Sequence, residues 1–64
     1  MSTRMDRRHC DLGSVGRYQV WRRTNDVAVT QGGEVVLILP FAAYRSADDA
    51  TRWAFIFARY LVTA

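Results

Sequence analysis

The chain has no lysine, one cysteine, one proline and one histidine among its 64 residues, and each shortage closes off a class of protein. A single cysteine cannot form an internal disulfide. It also cannot complete a cysteine-based zinc site, so neither usual staple of a mini-protein is available. The longest apolar run, Val35 to Ala43, is far shorter than the roughly 20 residues that cross a bilayer, and no membrane segment is expected. Arg4, Asp6, Arg7 and Arg8 open the chain with no apolar stretch behind them, unlike a signal peptide, and a cytoplasmic location is expected. Without lysine, all nine basic residues are arginine. That usage is most simply the mark of a GC-rich genome, a bacterium or its phages and plasmids.

Half of the residues are apolar and 23% are charged, a globular composition. A chain this short buries only about 60% of the surface it exposes when unfolded, so its stability is marginal. The net charge of +3 is too small to establish nucleic-acid binding alone, although residues 1–23 hold six arginines against two aspartates.

Residues 1–16 keep no periodicity for long and end in Gly13, Ser14 and Gly16, so they read as a flexible basic arm. Residues 17–64 read as a single β-β-β-α domain. Arg17 to Arg23 is rich in strand formers, and Thr24-Asn25-Asp26 is turn chemistry. Val27 to Gln31 is a second strand, Gly32-Gly33 a hairpin turn, and Glu34 to Leu39 a third strand that Pro40 stops. Tyr44 to Val62 reads as a helix with Ser46 as N-cap and Asp48 and Asp49 at its positive end. On a helical wheel Ala47, Ala50, Trp53, Ala54, Phe57, Ala58 and Leu61 make the core face. The expected fold is α+β: a three-stranded antiparallel sheet of two hairpins packed against one C-terminal helix.

That fold leaves more apolar surface than one helix can cover. Phe55 and Ile56 fall outside the core face, beside the polar stripe that holds Arg52 and Arg59. All of Val35 to Leu39 are aliphatic although alternate residues of a strand face opposite sides. Simple pairing across Gly32-Gly33 sets Val29 opposite Val36 and Val27 opposite Ile38. Phe55, Ile56, Val36 and Ile38 are therefore the candidate apolar contacts for a protein partner or a second copy.

His9-Cys10-Asp11 is the one cluster of metal or nucleophile residue types, and adjacent side chains do not converge on one ion. Gly32-Gly33 lacks the helix and Lys-Ser/Thr of a phosphate loop. No enzyme, cofactor or small-molecule substrate is expected. Arg17, Gln19, Trp21 and Arg23 alternate along the first strand. Arg17, Trp21 and Arg23, with Arg22, Arg52 and Arg59, are the candidate basic and aromatic contacts. The run Tyr44-Arg45-Ser46-Ala47-Asp48-Asp49-Ala50, followed by Trp53, is similar to the helix entry of small three-strand-plus-helix modules such as the arm-site DNA-binding domains of phage integrases. Those modules read DNA with basic, polar strands, whereas the third strand here is aliphatic.

The expected function is a small non-enzymatic protein-binding module. Its most concrete form is a phage or mobile-element accessory protein of the anti-CRISPR kind, which inhibits a host complex by covering a surface. The alternative is a small DNA- or RNA-binding protein that uses the arginine-rich first strand and arm.

Overall fold

The computed structural model describes residues 10–64. The N-terminal arginines Arg4, Arg7 and Arg8, and His9, lie outside them. Four strands, β1 (Cys10–Val15), β2 (Tyr18–Arg22), β3 (Asp26–Gln31) and β4 (Glu34–Pro40), form an antiparallel meander in the order β1-β2-β3-β4. A short 3₁₀ turn, Phe41–Ala43, leads to the helix α1 (Ala47–Thr63), which packs on one face of the sheet. The fold is thus α+β with one C-terminal helix as expected, but the sheet has four strands and not three. The extra strand lies in residues 10–15, inside the segment 1–16 expected to be an arm.

The hairpin turns follow local chemistry. Gly32 and Gly33 both take positive φ, +59° and +86°, the conformation that lets a two-residue turn match the twist of its strands. Ser46 caps α1, its Oγ accepting the Asp49 N–H at 3.1 Å. The Asp49 carboxylate reaches back to accept the Arg45 N–H at 3.3 Å, closing the first turn from the other side.

Two bulges set the register. In β1 the pairing shifts between Asp11 and Gly13, leaving Leu12 as the extra residue. In β4 it shifts at Val36, between the pairs Thr30↔Val35 and Val29↔Leu37. Beyond that point Val27 pairs with Leu39 and Ala28 with Ile38, one residue out of step with simple pairing. A one-residue slip turns every side chain over. Leu37 and Leu39 accordingly face the helix, and Ile38 faces away.

The core is built from Val20, Val27, Val29 and Leu39 on the sheet against Ala50, Ala54 and Ala58 on the helix, all essentially inaccessible. The three alanines recur every fourth residue, and their small side chains let α1 lie close to the β-branched surface. Trp53, expected among them, is 38% exposed and stands on the flank of the helix. Its ring instead packs on Phe57, with centroids 5.7 Å apart. Phe55 takes the opposite flank and covers β1: its ring lies 3.7 Å from where a Cβ on Gly13 would stand.

Candidate functional site

The sheet face away from α1 is partly closed by its own residues. Trp21 pairs across the sheet with Ala28 and donates from Nε1 to the Thr30 hydroxyl at 3.0 Å. Ala28 and Thr30 are buried despite lying on the uncovered side. Ile38 and Val35 continue this face to the β4 edge, 48% and 41% exposed.

The basic residues expected to flank Trp21 do not gather around it. Arg17 sits in the β1–β2 turn, outside either strand. Arg23 lies past the end of β2, bound to Asp26 through Nε at 2.6 Å and Nη2 at 3.1 Å. That hydrogen-bonded pairing holds the Arg23 guanidinium above its ordinary pKa. Arg22 reaches toward Phe41, its Cζ 5.7 Å from the ring centroid. Asp11 pairs with Trp21 from the neighbouring strand, so the group beside the indole is an acid. Arg52 and Arg59 are exposed on the outer side of α1, seven residues and so nearly two turns apart.

The expected apolar contacts are also divided. Phe55 is half-buried against β1, and Ile56 lies on the outer face of α1, about 200° around from Ala54. Ile38 is on the uncovered sheet face. Val36, at the bulge, lines an apolar groove on the helix side together with Tyr18, Leu37, Phe57, Tyr60 and Leu61. The groove encloses about 410 Å³ between β4 and the C-terminal half of α1. It exists because α1 packs chiefly over β2 and β3, leaving the helix side of β4 partly bare. Tyr60 is its most open member at 75% exposure. Leu61, expected on the core face, is instead 38% exposed, and Tyr60 was not singled out. Their signal is that the buried alanine series ends at Ala58 while the helix runs on to Thr63.

Among the described residues, the groove adjoins an open sheet edge. The Phe41 N–H donates to the Asn25 carbonyl at 3.0 Å, so Asp26 and Pro40 form a non-hydrogen-bonded pair. By the alternation of an antiparallel ladder, Leu39 turns its N–H and C=O toward β3 and Ile38 turns both away. Between Glu34 and Pro40 this edge carries only aliphatic side chains. Lysine, inward charges and covering loops are common protections of an edge; here the bulge and Pro40 are the ones present.

Cys10, at the start of β1, is exposed. Among the described residues, no group of three or more His, Cys, Asp or Glu side chains is placed to hold a metal ion, and no helix is long and apolar enough to cross a membrane. No family model, curated protein or solved structure matches the chain.

Proposed function

We propose that this chain is a non-catalytic protein-binding module whose contact surface is the β4 edge with the adjoining groove. One observation carries the reading: Val36, Tyr60 and Leu61 line an apolar groove directly beside a strand edge whose outward backbone groups are unpaired among the described residues. Contiguous apolar surface on a small domain marks interaction sites, and an open edge adds main-chain hydrogen bonds to any strand laid along it. In its most concrete form the module is an accessory protein of a phage or mobile element that occludes a host complex. Such a role needs a binding face and no reacting group.

Charge supports the same choice over nucleic acid. The chain holds nine arginines against six acids, a net charge of only +3, and one of those arginines is tied to Asp26. Phosphate recognition needs free cations on one face, since each neutralised phosphate adds nearly one unit to the log–log salt slope. Titrating labelled duplex and single-stranded DNA and RNA by fluorescence anisotropy separates the two classes. Binding is expected to be weak and gone by about 200 mM salt. Tight binding that persists there, and is lost on Arg52→Ala with Arg59→Ala but unchanged by Leu61→Asp, would refute the protein-binding reading.

A further inference from the structure

The uncovered sheet face carries a surplus charge opposite in sign to that of the chain. Among the described residues its charged side chains are Asp11, Asp26 and Arg23. Arg23 is taken up by Asp26, which leaves Asp11 as the surplus, whereas the whole chain is +3. We propose that Asp11 and Trp21 form a binding site for an arginine side chain of a protein partner, its guanidinium on the carboxylate and its stem on the indole. The site is separate from the β4 edge and goes beyond the reading above.

Both parts of the site are already held in place. The indole crosses from Trp21 over its partner Ala28 to Thr30, where Nε1 donates at 3.0 Å. Ala28 and Thr30 are 0% and 2% exposed beneath it, while Trp21 is only half-buried, so the outer face of the ring is the open one. The Asp11 carboxylate accepts the Gly13 N–H at 3.0 Å through Oδ1 and meets Gln19 Nε2 at 3.5 Å through Oδ2. Each oxygen keeps a further lone pair, and among the described residues no cation reaches either. A ligand therefore meets two groups that are already ordered, which lowers the cost of binding.

The arrangement selects the ligand. Asp11 and Trp21 are cross-strand partners, with the carboxylate on the β1 side and the ring leaning toward β3. A group that touches both must be long, charged at one end and apolar along its length. Arginine has that form, since its stem lies along apolar surface while its guanidinium fork matches a carboxylate. The electron-rich face of the indole also favours a cation. A nucleotide stacked there would bring its phosphate toward Asp11, and like charges repel.

Two-dimensional NMR of the full chain tests the site, by titration at constant ionic strength with N-acetyl-arginine methylamide and with its neutral citrulline counterpart. The Trp21 indole N–H signal is expected to shift with the arginine compound, with a dissociation constant on the order of tens of millimolar, as suits one side chain of a larger interface. Citrulline keeps the size but not the charge, and should leave that signal in place. Asp11→Asn retains an acceptor for Gly13 and removes the charge. It should weaken the arginine compound about threefold, with the rest of the spectrum unchanged. Equal shifts from both compounds, or an Asp11→Asn variant that binds as the parent does, would overturn the proposal. So would the absence of any shift up to about 100 mM, the result expected when an arginine of this chain already fills the site. None of these results bears on the β4 edge, which the salt titration and the exchange of its own amides test separately.

Discussion

Leu39→Ala is expected to remove roughly half of the stability of the chain. Leu39 is only 1% exposed and is the largest fully buried side chain, lying across from Val27 and beneath the alanines of α1. Removing it deletes apolar contacts and opens a cavity that a two-layer domain cannot collapse without moving the helix, which costs about 2–5 kcal/mol. At roughly 0.05–0.15 kcal/mol per residue, a chain of 64 residues has about 3–10 kcal/mol in all. Urea titration followed by circular dichroism, at a concentration low enough to keep the chain monomeric, reads the effect directly. A midpoint within error of the parent would mean that helix and sheet do not meet over Leu39.

The complementary result is expected at Ala54, where the fault is too much volume. Ala54 is inaccessible at the centre of the alanine series, in the buried cluster that also holds Val20 and Val29. Ala54→Leu forces an isobutyl group into a closed contact and should cost about 1–3 kcal/mol, although leucine is nearly as good a helix former as alanine. Arg52→Ala, on the exposed side of the same helix, should change stability by less than about 0.5 kcal/mol. Thermal melts of the two variants beside the parent make the comparison. If Ala54→Leu melts with the parent, the alanines do not set the spacing between layers.

These two positions show what can be read from the chain before its structure. Ala50, Ala54 and Ala58 were legible as a buried face because their spacing matches the helical period. The Gly32-Gly33 turn and the Ser46 cap were legible because one residue type satisfies a local backbone demand. Strand β1 was not. Its six residues include Gly13, Ser14 and Asp11, and the Leu12 bulge breaks the period-two alternation that marks a strand.

Missing that strand also misplaced Phe55, which looks surplus on a three-stranded sheet and covers β1 on a four-stranded one. The Val36 bulge had the same kind of consequence. With five aliphatic residues in a row, nothing in the residue types marks where the register slips, so Val36 and Ile38 fell on opposite sides of the sheet. Trp53 was drawn into the core by its hydrophobicity. A helix packed chiefly over two of four strands has no room for it except on the flank.

The arginines illustrate the limit of reading charge along a strand. Alternation predicts a shared face only within the strand, and β2 ends at Arg22. Arg17 and Arg23 lie beyond its ends, one in a turn and the other held by Asp26. What was legible was the excess of apolar surface. Its location, at the β4 edge and beside the end of α1, depended on the two bulges and on where the helix sits.

The central claim is that this chain meets protein through the β4 edge, and residue-resolved amide hydrogen exchange tests it most directly. Amides that face β3 are protected by the ladder at any concentration, whereas the Ile38 amide faces outward and is protected only if a strand covers it. In the free chain the Ile38 amide should exchange fast while the Leu39 amide, bonded to β3, is protected. Protection at Ile38 equal to that at Leu39 would contradict the claim, because the edge would then be covered already.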